Sequence, residues 1–271
     1  MSVELQNLAT EIALQAGELI HRRRREGVTV AASKSSAEDV VTLADRESED
    51  LIRSLIADAR PGDGFYGEES AATGSSTGVT WVVDPIDGTV NYLYDIPNYA
   101  VSIAVVEGDP DPHSWTALAG TVVNPAAGET FSASRGAGAT LNGQTIRSNT
   151  DVAPSLAMVG TGFSYTAERR IWQAGIVQQL IGQVRDIRRM GSAALDLCSV
   201  ACGRLDAYYE RGLNPWDHAA GALIAQEAGA RVGGLNGAEA SRDFTLAADP
   251  VLFDALHEML IDAGAEASVL G

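Results

Sequence analysis

The chain has 271 residues, of which 45% are hydrophobic and 20% charged, proportions that exclude a disordered tail, a collagen-like repeat and a disulfide scaffold. Its 36 acidic residues against 19 basic ones leave a net charge of −17, a field that repels nucleic-acid phosphates and anionic membrane surfaces. An anionic ligand would need local positive charge, and bound cations supply it most directly.

No run approaches the roughly 18 consecutive apolar residues of a spanning helix, and no basic-then-apolar leader pattern is present, so the expectation is a cytoplasmic protein with no membrane partner. Leu5, Leu8, Ile12, Ala16 and Leu19 recur at helical spacing and predict a helix over residues 4 to 25. The run Arg22, Arg23, Arg24 and Arg25 then falls in its last turn, where the helix dipole favours solvated positive charge. Thr42 with Asp45 three residues on reads as an N-cap with an acid in the first turn of a helix over 43 to 59. Further helical patterns cover 167 to 183, 192 to 202, 217 to 229 and 250 to 263. Strand-like runs lie at 65–67, 80–84, 99–106, 116–123, 129–133, 156–160, 184–188 and 204–209. Asn142-Gly143 marks a hairpin, and 71–78 reads as a mobile surface loop. Trp81, Trp115, Trp172 and Tyr92 are expected in the core or an interface. Cys198 and Cys202, four apart on a predicted helix, lie too far apart for an unstrained bridge and read as buried thiols in a reducing compartment.

Helices followed by a meander of strands, then alternating helix and strand, predict a layered α/β fold (α+β in its layering). The division falls near residue 150. An α+β half over 1–150 and an α/β half over 151–271 are expected to form one compact unit, since no long Pro/Ser/Gly linker separates them.

The most informative segment is 81–92, WVVDPIDGTVNY, in which an apolar strand runs into two carboxylates separated by two residues. Asp84 precedes Pro85, which biases it to extended backbone and makes it the expected last strand residue, with a tight turn at Pro85. Asp87 follows on that turn, so both carboxylates could meet one ion. Gly88-Thr89 could open a short helix whose free N–H groups face an anion. Asp-Pro and Asp-Gly are also ordinary turn formers, so the segment alone does not decide. Glu68-Glu69 after the apolar Phe65-Tyr66-Gly67, and Asp217 after Trp216 at a helix start, shift the weight toward a site built at strand edges. Oxygen-only ligands favour Mg²⁺ or Mn²⁺ over zinc. His218 beside Asp217 is expected to be structural or solvent-facing. A dinucleotide site at Gly136-Ala137-Gly138 fails, because no third glycine follows and no helix opens there.

Gly67-Glu68-Glu69-Ser70, Asp84-Pro85-Ile86-Asp87-Gly88-Thr89, and Trp216-Asp217 with Gly221 and Glu227-Ala228-Gly229 together resemble the inositol monophosphatase family of Mg²⁺-dependent, lithium-sensitive phosphatases. Asp206-Ala207-Tyr208-Tyr209-Glu210, ahead of the Trp-Asp pair, brings the chain nearest to the inositol monophosphatases themselves. The resemblance implies an αβαβα sandwich, usually a homodimer. It implies that Glu68, Asp84 and the Ile86 carbonyl hold one metal and Asp84, Asp87 and Asp217 a second, with a third near Glu68. Thr89 and Asp45 would align the attacking water, and Gly88 and Thr89 would meet the phosphate. Asp87, Ser192, Ala193 and Glu210 would meet the substrate hydroxyls, and Lys34, the only lysine in the chain, falls in the family's mobile loop.

The implied activity is hydrolysis of myo-inositol monophosphate or a similar polyol or sugar phosphate by metal-activated water. Histidinol phosphate and fructose 1,6-bisphosphate are alternative substrates within the family. Asn214-Pro215 before Trp216 departs from the His-Cys pair of animal relatives, which bears on the shape of the substrate rim. The alternative of another class is a non-catalytic metal-binding regulatory protein.

Overall fold

The structure is a computed structural model that describes residues 2–33 and 40–267. In α1 (Ser2–Glu26), Leu5, Ala9, Ile12, Ala16 and Ile20 fall on one stripe and are buried, as helical periodicity requires. In α2 (Leu43–Ala59), Ile52 and Ile56 continue the same layer. Thr42 and Asp45 form the reciprocal capping box that starts α2.

Both helices cover one face of a seven-stranded sheet ordered β3 (Gly64–Gly67), β4 (Val79–Asp87), β5 (Ala100–Glu107), β6 (Thr116–Asn124), β7 (Glu129–Ser134), β8 (Ala139–Leu141) and β9 (Gln144–Ile146). β3 and β4 run parallel and the other pairs antiparallel. Strand alternation sorts the side chains by face. Trp81, Val83, Val101, Ile103 and Val105 pack toward α1 and α2, whereas Val82, Ala100, Ala104 and Val106 pack toward α5 (Ala193–Ala201) and α6 (Pro215–Glu227).

Every residue of α5 except Ser199 is buried, the pattern of a helix covered on all sides. The covering comes from a second sheet, five-stranded, in the order β11 (Asp186–Arg188), β10 (Met158–Thr161), β12 (Ala207–Glu210), β14 (Thr245–Ala248) and β13 (Arg231–Gly233). Tyr208 and Ala247 face α5 and α6. Ala207, Tyr209, Leu246 and Ala248 face α4 (Ala167–Leu180) and α7 (Pro250–Asp262), which form the outermost layer. The layers therefore run αβαβα. The larger sheet lies within residues 64–146 and the smaller within 158–248, yet Ala194 and Ala220 share a core with Val82 and Phe131 across that division. No helix among the described residues is long and apolar enough to cross a membrane.

Several sequence expectations change. β4 does not stop at Asp84 but runs to Asp87, with a break in register between them. The Ile86 N–H turns back to Asp84 Oδ1 at 3.0 Å, so the Asp-Pro step makes a bulge inside the strand and not a turn after it. β1 (Val30–Ser33), β2 (Val40–Thr42), β8, β9, β13 and β14 add strands of three or four residues, too short to carry a period. Residues 204–206 form a turn ahead of β12. Cys198 is buried, but Cys202 ends α5 half-exposed, and both thiols are free. Trp81 and Tyr92 are fully buried, while Trp115 and Trp172 pack at core edges. The 71–78 segment is exposed throughout.

Candidate active site

Three acidic segments meet where strands end and helices begin. Asp84 and Asp87 flank the β4 bulge and are 2% and 9% exposed. At Gly88 the backbone turns left-handed (φ 91°), where a Cβ would stand 3.0 Å from the Asn98 carbonyl and 3.2 Å from that of Gly191. Glycine is therefore required there on two counts. The short helix α3 (Thr89–Leu93) opens at once. Across the cleft, Ser192 caps α5, and Asp87 Oδ2 accepts from Ser192 Oγ at 2.6 Å and from the Ala194 N–H at 2.7 Å. Asp217 lies in the first turn of α6, where its Oδ2 accepts the Asn214 N–H at 2.7 Å. Glu68 follows β3 and stands in hydrogen-bond contact with Asp84.

A cavity of about 510 Å³ is lined by Glu68, Asp84, Ile86, Asp87, Gly88, Thr89, Ala193, Glu210 and Asp217. Ser192 and Asp45 stand behind its wall. Thr89 Oγ is 3.0 Å from the Ile86 carbonyl and 3.3 Å from Asp45 Oδ1, and Asp45 Oδ2 is held by the Thr42 N–H at 2.7 Å. Glu210 ends β12 and accepts from the Tyr208 hydroxyl, under Gly162, where any Cβ would overlap its carboxylate. Lys34 lies outside the described residues. His218 is buried in α6, which excludes the solvent-facing option, and burial pushes its imidazole down to about 4.

The acids shift one another. Burial first, then Glu68, Asp87 and Asp217, pushes Asp84 well above the usual carboxylate range. Asp217 is raised in the same sense by burial, Glu68 and Asp87. Burial raises Asp87 to about 6 against the opposing Ser192 and Ala194 donors, Glu210 to about 7 against Tyr208, and Asp45 to about 7 against Thr42. Such crowding is unfavourable for the chain alone and is relieved by cations.

The donor set is all oxygen, and Asp84, Asp87 and Asp217 each already give one carboxylate oxygen to an N–H or O–H of the chain. Among the described residues, no three Asp, Glu, His or Cys side chains stand close enough to hold an ion unaided. The oxygen donors themselves suit a hard ion such as Mg²⁺. Four residues that no motif announced, Arg169, Arg189, Arg211 and Arg242, also line the cavity. They come from four separate segments of the second half, so nothing local in the sequence joins them.

The sequence matches the inositol monophosphatase family over residues 1–268. The chain belongs to that family. Its relatives include an inositol-1-monophosphatase, SuhB, of Mycobacterium tuberculosis, 46% identical over 246 residues that cover 84% of this chain and 83% of that one. A Nus factor SuhB of Pseudomonas aeruginosa is 38% identical over 237 residues, covering 85% of each. Among solved structures, the extragenic suppressor protein suhB of Bartonella henselae superposes with a TM-score of 0.87 at 33% identity, covering 95% of this chain and 98% of that one. Family membership makes the chain a phosphoric monoester hydrolase of the αβαβα type.

Proposed function

We propose that this member of the family is a Mg²⁺-dependent phosphatase of myo-inositol monophosphate or a similar polyol or sugar phosphate. The observation that supports the reading is the convergence of Glu68, Asp84, Asp87 and Asp217 on one cavity beside the Gly88-Thr89 helix start. Four carboxylates carry about −4 and a phosphate monoester about −2, so about three Mg²⁺ balance the loaded site. Glu68, Asp84 and the Ile86 carbonyl would hold one ion, with Asp84, Asp87 and Asp217 drawing in around a second, and the surroundings of Glu68 a weaker third. Divalent ions there acidify a water and offset charge on the leaving oxygen.

The chain's own groups do the rest. Thr89 Oγ takes the proton of the attacking water and passes its own to Asp45, which must be ionised to receive it. The N–H groups of Gly88 and Thr89 face the phosphate from the start of α3. Ser192 and Ala194 fix the Asp87 carboxylate, and Glu210 accepts hydrogen bonds from vicinal hydroxyls of the substrate, beside Ala193.

A second reading, a sugar bisphosphatase acting on fructose 1,6-bisphosphate, is favoured by Arg169, Arg189 and Arg242 on the cavity wall, with Arg211 beside them bonded to the Ala267 carbonyl. They suit a second anionic group and disfavour a cationic amine such as that of histidinol phosphate. Phosphate release from inositol 1-phosphate, fructose 1,6-bisphosphate and histidinol phosphate, with Mg²⁺ and with chelator, tests both readings. Release from the inositol ester only with Mg²⁺ supports the first, and preference for the bisphosphate supports the second. No release from any of the three esters with Mg²⁺ overturns both readings.

A further inference from the structure

Helix α2 turns a buried polar face, not an apolar one, toward the site. Asp45, Ser48 and Glu49, at positions i, i+3 and i+4, are 0%, 0% and 2% exposed. Each holds a different part of the acidic segments. Asp45 meets Thr89, and Ser48 donates to the Pro85 carbonyl at 3.2 Å inside the β4 bulge. Glu49 Oε2 accepts the Glu69 N–H at 2.8 Å, and Glu49 Oε1 accepts the Ser70 hydroxyl. Both donors belong to the two residues that follow Glu68.

The fit admits no slack on the other side. A Cβ at Gly67 would stand 2.4 Å from Glu49 Oε2 and 2.5 Å from a Phe65 ring carbon, so glycine at 67 leaves the space the carboxylate fills. Gly67 and Glu69 thus bracket Glu68 with contacts to one side chain. The two hydrogen-bond donors to Glu49 are the backbone and hydroxyl of the loop itself, and Arg53, one turn on, holds the same loop at Ser70 Oγ and the Ala71 carbonyl.

We infer that Glu49 is a positioning residue: its carboxylate clamps the loop after β3 and so sets where Glu68 meets the metal ions. The inference rests on the metal-phosphatase reading, through the role that reading gives Glu68. Glu49 touches neither substrate nor metal. It acts by removing the freedom of the loop before an ion arrives, so its loss should weaken ion binding more than turnover at saturating ion. Ser48 and Asp45 fix the Asp84 to Thr89 segment from the same helix, so α2 sets the spacing between the two acidic segments.

The test is isothermal titration calorimetry of Mg²⁺ into the full chain, with thermal unfolding in chelator and phosphate release as companion measurements. In E49A the Mg²⁺ dissociation constant is expected to rise about tenfold or more, while turnover at saturating Mg²⁺ falls less than threefold. E49Q restores most of the affinity, because its amide oxygen still accepts the Glu69 N–H and its NH₂ donates to Ser70 Oγ. S70A removes one of the two contacts to Glu49 from an exposed residue, along with the bond Ser70 Oγ accepts from Arg53, and a rise of about twofold to threefold beyond that of R53A is expected even if E49A fails to fold. Unchanged Mg²⁺ affinity in E49A and S70A overturns the inference, as does an E49Q no better than E49A. A wild-type chain that takes up no Mg²⁺ overturns the metal-phosphatase reading itself, which separates the two failures.

Discussion

Replacing Asp84 by asparagine is expected to stabilise the metal-free fold while abolishing phosphate release. Asp84 is 2% exposed, and burial together with Glu68, Asp87 and Asp217 pushes its carboxyl well above the usual carboxylate range. Near neutral pH the native chain must therefore either hold a proton there or add one more negative charge to the cluster. Two unit charges 4 Å apart repel by about 4 kcal/mol at an effective dielectric of 20, and by about half that at twice the distance. Asparagine keeps the shape and the oxygen that accepts the Ile86 N–H at 3.0 Å, and its amide can donate to Glu68. The net gain for D84N is thus about 2 to 4 kcal/mol, or roughly 5 to 10 °C in melting temperature for a chain of this size. Calorimetric melts in chelator and across a Mg²⁺ titration measure it, with phosphate release alongside. Mg²⁺ at 100 times its dissociation constant should stabilise the wild-type chain by about 2.7 kcal/mol and D84N by far less. A D84N chain that melts below wild type in chelator, or that gains as much from Mg²⁺, refutes the reasoning.

D45N should lower turnover by about 100-fold or more, because the proton of the attacking water loses its acceptor. The wild-type rate should fall as pH drops and Asp45 takes up a proton, at a pH below its metal-free value of about 7 because bound cations favour the ionised form, and that limb should vanish in D45N. In chelator, Asp45 and Asp87 bind protons more tightly folded, at about 7 and about 6, than at their ordinary 3.8. The stability they contribute is complete below about pH 4 and is lost as pH rises toward 7, so urea midpoints of the metal-free chain should be higher at pH 5 than at pH 7.5. A flat or opposite trend counts against the buried-carboxylate account. E227A frees the Gly136 and Gly138 N–H groups now held at 2.7 and 2.9 Å, and should cost about 1 to 3 kcal/mol in denaturant titrations while changing turnover less than twofold.

The acidic segments were legible because each carries its own local grammar. Asp-Gly-Thr after an apolar run, and Trp-Asp after a proline, announce where a strand gives way to a helix or a helix begins, and in layered α/β folds such junctions gather at one edge. The bulge was not legible, since the Asp-Pro rule describes the backbone before proline and says nothing of the Ile86 N–H that returns to Asp84. Strands such as β13 and β14 escape because their pairing partner, and not their three- or four-residue pattern, makes them strands. The burial of His218 depends on groups far off in sequence, among them the Trp115 ring 6.1 Å away, which no window around residue 218 contains. Glu49 reads in sequence as one more acid on an amphipathic helix, and only the loop folded against it reveals the difference.

That contrast explains where the fold tolerates strain. Apolar layers on both faces of the larger sheet hold the framework, with Trp81 and Val83 on one side and Val82 and Phe131 on the other. Against that framework, β4 carries a bulge, Gly88 a left-handed turn and α2 a buried polar face, none of which local stability favours. The bulge and the Gly88 turn line the same cavity, and the polar face of α2 backs its wall. The bulge sets Asp84 and Asp87 side by side and α2 seats Asp45 behind Thr89, so buried carboxylates crowd where cations would offset their charge. Removing one of those charges, as D84N does, should therefore move stability and ion binding in opposite directions, whereas a packing change at Val82 or Phe131 should lower both together.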